Sequence, residues 1–294
     1  MITVIRKIIF LFITAGCFYA SLTAQTKIQV VSRSITRTFT YSAVKIIQVN
    51  GEKAQIKVRP SLNKQITLTL TLIAKNPSLQ DAETDVKYCN YNINESADKI
   101  IITNNFDIKK GFKEISSNLG ARIELEIPGP LPLIIRNIYG TIEIKDVQVG
   151  LNITNDFGQL SLSNISGNEL VINSKYGDIS GSVINTPLII KSRNTDIILK
   201  VLNKISDISD QYGSIQLEKN KSSLNINGEM TAITISDVDF NNWSFIVKAT
   251  KGQIDVPKEY LKYLSTKSGD ANFIKAPGNT SLQIKNSYNK ITLK

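Results

Sequence analysis

Histidine is absent from all 294 residues, which excludes Ser-His-Asp and Cys-His catalysis and every metal site that needs imidazole. Cysteine is nearly absent too. Of Cys17 and Cys89, the first sits in a leader-like segment, so cleavage leaves Cys89 with no partner for an intramolecular disulfide and no thiolate set for zinc or an iron–sulfur cluster. The stability of about 270 remaining residues then rests on a hydrophobic core, which a chain of that length can build. Cys89, flanked by Tyr88 and Tyr91, reads as a small buried hydrophobe rather than a reactive thiol. No glycine-rich loop opens a helix with Lys-Ser/Thr, so no phosphate-binding loop is present. The Gly-Gly-x-Gly-x-Asp pattern of calcium-binding repeats is missing as well. No cofactor and no metal are expected.

Lys and Arg number 35 against 25 Asp and Glu, a net charge of +10. This excess favours acidic partners such as anionic glycan, lipopolysaccharide or phospholipid headgroups. The charge is spread along the chain, and its densest cluster is Lys109, Lys110 and Lys113. No basic stripe alternates with aromatics in the way a nucleic-acid surface would. A solvated basic surface accounts for it equally. Partners remain open: an anionic glycan, an envelope component or another protein.

Residues 1–24 read as a signal peptide: Arg6 and Lys7 are the basic start, Ile8 to Leu22 the apolar run, and Thr23-Ala24 precede Gln25 at the cut. A rival reading takes Thr14-Ala15-Gly16-Cys17 as a lipoprotein box with lipid on Cys17. Either way the chain is expected outside the cytoplasm, with no transmembrane segment once mature.

From Leu133 to Leu293 one phrase recurs: apolar-x-apolar-x-small-x-aromatic-Gly-x-apolar-x-apolar. Its clearest copies centre on Tyr139-Gly140, Phe157-Gly158 and Tyr176-Gly177, with weaker ones at Asn194, Tyr212, Met230, Lys251, Ser268 and Tyr288. The centres are separated by 18, 19, 18, 18, 18, 21, 17 and 20 residues. Alternation within each copy is the period of a strand with one face inward. A unit this short cannot bury that face alone, whereas stacking units at about 4.8 Å makes a continuous core. The expected fold class is all-β, a single-stranded β-helix or β-solenoid of about nine regular coils in residues 131–294. Nine coils make a rod roughly 43 Å long. The glycines after the aromatic position are expected to supply positive φ at the corners. A small or polar residue two positions before the centre, such as Asn137, Asn155, Ser174 or Asp210, suggests a ladder of turn side chains. Tyr139, Phe157, Tyr176, Tyr212 and Tyr288 line one edge, either as stacked structural rings or as platforms for sugars or bases.

Residues 25–130 form a strand-rich N-terminal part. Ile46 to Val58 alternates around Asn50-Gly51, a turn signal that echoes the later phrase, so the first coils are expected here. Ile66 to Leu72 and Arg122 to Ile127 alternate as strands, Lys99 to Thr103 is a strand, and Asn104 to Gly120 is read as a polar loop. Residues 77–92 support helix or strand. Pro128-Gly129-Pro130 breaks the pattern without marking an independent domain. Pro257 to Leu264 suggests a short helix between coils. Lys285, Lys290 and Lys294 are placed to guard an exposed strand edge at Ile291-Thr292-Leu293.

This order of elements, with Tyr139-Gly140-Thr141-Ile142, Phe157-Gly158-Gln159-Leu160, Tyr176-Gly177-Asp178-Ile179, Tyr212-Gly213-Ser214-Ile215 and Val256-Pro257, resembles a family of exported bacterial β-helix proteins labelled "putative adhesins". The resemblance spans residues 35–293. It implies the coiled fold and carries no catalytic residues, because the shared motifs specify turns. The signal ending in Ala24-Gln25 is similar to those of Bacteroidetes, which implies the periplasm or surface of a Gram-negative cell.

Two functions are compatible with these residues. A rigid, non-enzymatic envelope rod could present a face for adhesion or cell-envelope interaction. Alternatively, a polysaccharide lyase or hydrolase of the β-helix type could use Asp156, Lys175, Asp178, Arg193, Asp196 and Asp210, which lie near equivalent corners. Asp beside Gly or Asn is also ordinary turn chemistry. No catalytic residues are assigned.

Overall fold

Alternation sets the strands: in Leu133–Ile138 and Thr141–Lys145 every second side chain is buried, as a half-buried strand requires. The computed structural model describes residues 27–96, 98–106 and 115–294. The signal peptide, the Cys17 alternative and the cluster of Lys109, Lys110 and Lys113 lie outside them. The protein is all-β, 68% strand and 7% helix, with one large open sheet. Among the described residues, no helix is long and apolar enough to cross a membrane.

Residues one repeat apart pair in parallel. Leu133 pairs with Leu151, then Leu170, Leu188, Ser206 and Leu224 in turn. On the other side of the turn Ile142 pairs with Leu160, then Ile179, Ile197, Ile215 and Ile233. Equivalent side chains thereby stack in columns, and all of these residues are buried. Each rung leaves half its backbone groups to the next, so both the core and the hydrogen bonding propagate along the stack.

The same register continues N-terminally. Ile47 and Val49 pair with Leu133 and Ile135, and Ile56 pairs with Ile142. Asn50-Gly51, read as a turn, lies inside the strand Ile46–Glu52. The reversal falls at Lys53, whose φ is 45°. Gly51 is required for another reason: a Cβ there would stand 2.5 Å from Asn137 Oδ1. The strand Gln65–Asn76 closes this end, antiparallel both to Asn118–Ile127 and to Gln29–Thr40. Residues 77–92 resolve into both alternatives. Ser78 caps the helix Leu79–Asp85 by accepting from Asp81 N, and the strand Cys89–Glu95 follows. Cys89 is buried, and burial pushes its thiol up to about 11. The expected polar loop is shorter than proposed, because Asn104 to Phe106 and Asn118 to Gly120 belong to strands.

Spatial order departs from chain order after Glu229. The strand stacked on Leu224–Glu229 is Thr280–Ser287, and Trp243–Thr250 lies on its far side: Ile284 pairs with Ile226 and with Val247. Lys290–Leu293 is likewise held between Ala232–Ile235 and Gln253–Asp255. The expected exposed edge is overturned: Ile291 and Leu293 are buried and Lys290 pairs with Asp255. Shape complementarity explains the insertion. Gly228 leaves the room that Asn286 fills, since a Cβ there would stand 2.3 Å from Asn286 Oδ1. Asn286 Nδ2 then donates to Thr231 O at 2.8 Å.

Ser268 is not the centre of a stacked rung. It precedes Gly269 (φ 85°) in the turn of an antiparallel hairpin between Leu264–Lys267 and Asp270–Lys275, and the latter strand runs antiparallel to Trp243–Thr250. The 3-10 turn Lys258–Tyr263 sets Tyr260 on Phe240 (4.4 Å between centroids) and Tyr263 against Phe273 (6.3 Å). This aromatic group covers the end of the stack, where an open column of apolar side chains would otherwise meet water.

Candidate functional site

The most regular exposed feature is a row of side chains at one turn. Lys53, Tyr139, Phe157, Tyr176, Asn194, Tyr212, Met230, Tyr288 and Lys251, in spatial order, all adopt φ between 45° and 63°. The left-handed region suits Asn and disfavours bulky residues by about 1–2 kcal/mol each. The rings are nevertheless half out in solvent: Tyr139 55%, Phe157 47%, Tyr176 50%, Tyr212 43% and Tyr288 51% exposed. Tyr139, Phe157 and Tyr176 stack with centroids 5.0 Å apart, close to the strand spacing. The Arg193 guanidinium lies 5.4 Å over Tyr212, and the Lys251 ammonium 5.3 Å over Tyr288. Such contacts contribute roughly 0.5–1.5 kcal/mol per ring pair and about 0.5–1 kcal/mol per exposed cation, which offsets part of the backbone strain.

The positive φ belongs to the aromatic position; Gly140, Gly158, Gly177, Gly213 and Gly252 serve close approach. A Cβ on Gly158 would stand 1.9 Å from Gly140 O, one on Gly177 2.0 Å from Gly158 O, and one on Gly140 2.1 Å from Ala54 O. At the same position in two other rungs, Thr195 and Thr231 are buried, and Thr231 Oγ1 donates to Asp210 Oδ2 at 2.8 Å. Lys53 was hidden from the sequence reading by Asn50-Gly51. The signal was present all the same: Ile47-x-Val49-x-Gly51-x-Lys53-Ala54-x-Ile56-x-Val58 has the spacing of the later phrase.

The charged residues considered for catalysis fall on three rows. Asp156, Lys175 and Arg193 are successive register partners in one, and Asp178 and Asp196 in a second across the turn. Asp210 belongs to a third row with Asn137, Asn155, Ser174 and Ser192, and is only 2% exposed. Among the described residues no group of three or more Asp, Glu, Cys or His is placed to hold a metal ion.

Burial raises the Asp210 carboxyl above its ordinary value, opposed by hydrogen bonds from Ser192 Oγ (2.6 Å) and Thr231 Oγ1 (2.8 Å). A raised folded-state value means that the native chain holds this proton more tightly than the unfolded one. The group's contribution to stability therefore declines as pH rises from the unfolded carboxylate value, about 3.9, through the folded one. Asp210→Asn, the residue type found at 137 and 155 in the same row, is expected to raise the thermal midpoint at pH 7. The gain should close as pH falls below about 3.9. A lower midpoint for the variant at pH 7 would show that the carboxylate is a net stabiliser.

No family model and no curated protein matches the chain. Solved structures that do match include a "putative adhesin" from Parabacteroides merdae, 13% identical, covering 89% of this chain and 96% of that one with a TM-score of 0.46. Another "putative adhesin", from Bacteroides fragilis, is 11% identical and covers 89% and 97% with a TM-score of 0.41. A "putative cell adhesion protein" from Clostridium sporogenes is 11% identical and covers 90% and 99% with a TM-score of 0.29.

Proposed function

We propose that this chain is an exported β-solenoid, with residues 25–130 contributing its first coils and 131–294 the regular ones. It presents the positive-φ row at the cell envelope or surface as a contact face for adhesion or envelope interaction, without turning over what it binds. The observation that carries this reading is the row itself. Single exposed apolar side chains are ordinary, whereas a contiguous exposed line of them with polar margins marks an interaction surface. Here Tyr139, Phe157 and Tyr176 and, beyond the polar Asn194, Tyr212, Met230 and Tyr288 follow one another along the stack, each of these six at least 43% exposed. A stack bonded rung to rung holds them at fixed intervals, so little conformational entropy is lost when a partner spans several rungs.

The alternative, a polysaccharide lyase or hydrolase, needs an acid and a base converging on one bond. The dispersal of the acidic candidates over three rows, one of them internal, favours the binding reading. The mature protein is expected to bind outer-membrane fractions and capsular polysaccharide saturably while releasing no unsaturated or reducing ends. Phe157→Ser combined with Tyr176→Ser should weaken that binding at least tenfold. Sugar release by the protein would overturn the non-enzymatic part, and binding indifferent to the double variant would remove the row from the interface.

A further inference from the structure

The stack of rings ends at Tyr139, where it meets a cleft that the positive-φ row does not explain. The cleft encloses about 680 Å³ between the first stacked turn and the N-terminal strands, within the size range of small-ligand sites. Three cations reach it from separate elements: Lys53 from its turn, Lys75 from Gln65–Asn76 and Arg122 from Asn118–Ile127. No carboxylate lines it among the described residues. Three like charges on one concave surface repel one another and raise the local concentration of anions. Lys53 spends its ammonium 5.9 Å over the Phe106 ring. Lys75 and Arg122 form no ion pair among the described residues.

Tyr139 supplies the second element of recognition. Phe157 covers one face of its ring at 5.0 Å, and among the described residues no ring or cation covers the other. Tyr139, half exposed, forms part of the cleft wall together with Gly140 and Gly120.

We infer that this cleft binds an acidic sugar, a carboxylate-bearing pyranose within an anionic polysaccharide. A pyranose offers a flat face of C–H bonds to a free aromatic ring, and its carboxylate stands at the ring edge. There Arg122 can take it through two parallel N–H donors while Lys75 contributes a point charge. A bare inorganic anion would make no use of the ring. An acyl chain would call for an enclosed apolar channel, and this cleft is bordered by exposed Lys53, Lys75 and Arg122.

The inference rests on the envelope-binding reading and narrows it to one ligand class. Calorimetric titration of the mature protein with tetragalacturonate is expected to show saturable binding. Its fully methyl-esterified form should bind at least tenfold more weakly, and inorganic phosphate at equal concentration should not compete. Arg122→Gln, Lys75→Gln and Tyr139→Ser should each weaken binding about tenfold, whereas Lys200→Gln, at an exposed cation that neither lines the cleft nor belongs to the row, should leave it unchanged. Competition by phosphate would reduce the cleft to an anion site, and an equal loss in Lys200→Gln would reduce binding to the diffuse positive charge of the surface; either result overturns the inference. If tetragalacturonate does not bind while outer-membrane fractions do, the sugar site alone is lost. If the fractions do not bind and tetragalacturonate does, the envelope reading fails and the site stands.

Discussion

Removing residues 280–294 is expected to unfold the chain from Thr231 to Asn279 while leaving the rungs from Ile46 to Glu229 intact. Thr280–Ser287 lies between two strands, so its loss leaves Leu224–Glu229 and Trp243–Thr250 about 9.6 Å apart with no backbone partner between them. It also withdraws Leu282, Ile284, Ile291 and Leu293, all fully buried, each contributing about 1.5–3 kcal/mol. That sum is comparable with the whole stability of an ordinary domain, about 5–15 kcal/mol. A stacked structure shares its stability locally, so the damage should stop within a rung or two. Hydrogen exchange read by mass spectrometry should show lost protection in 231–279 and retained protection before it. If 243–255 stays protected, that segment has docked directly on Leu224–Glu229, and the Gly228–Asn286 fit does not determine the order. Replacing Lys285, Lys290 and Lys294 with Gln should leave the protein monodisperse, because these residues do not border an open edge.

Gly158→Ala is expected to cost about 3 kcal/mol, at the upper end of what an added methyl in a packed core costs. The methyl would stand 1.9 Å from Gly140 O, and that carbonyl accepts from Gln159 N at 3.3 Å, so it cannot retreat without loosening the ladder. The neighbouring substitution Phe157→Gly should be far milder. It relieves about 1–2 kcal/mol of left-handed strain while giving up two ring stacks of roughly 0.5–1.5 kcal/mol each. Urea denaturation of the two variants separates the explanations. A Gly158→Ala midpoint matching wild type would mean that adjacent rungs can shift apart, and a severe Phe157→Gly loss would make the rings the main support of the turn.

Much of the candidate site was legible because its determinants are local. Tyr139, Phe157 and Tyr176 stand out through spacing, and each lies next to a glycine. Lys53 is obscured because Asn-Gly is a strong turn signal when read alone, and the tightest obstacle to a Cβ at Gly51 is Asn137, 86 residues later in the chain. Asp210 fits two patterns in the sequence, the ladder of small turn residues with Asn137, Asn155 and Ser174 and the set of charged corner candidates, and the structure decides for the first: a strand alternates faces, but which face a turn residue joins depends on the rung beneath it. The cleft bounded by Lys75, Arg122 and Tyr139 leaves no trace in any motif, since its parts come from segments that meet only after the antiparallel strands have closed the N-terminal end.

By itself the sequence determined the all-β class and the interval of about eighteen residues that reappears as the pairing of Leu133, Leu151, Leu170 and Leu188. Both follow from the two-residue period of a strand and from turns encoded within a few residues. Tertiary structure alone decided that Thr280–Ser287 enters before Trp243–Thr250, that Ser268 closes a hairpin, and that glycine follows the aromatic for want of space and not for its φ. Each of these depends on contact between segments distant in the chain. Alternating apolar strands are nearly interchangeable in pattern, so the choice among them falls to shape and hydrogen bonding, as where Gly228 admits Asn286 and Asn286 reaches Thr231 O.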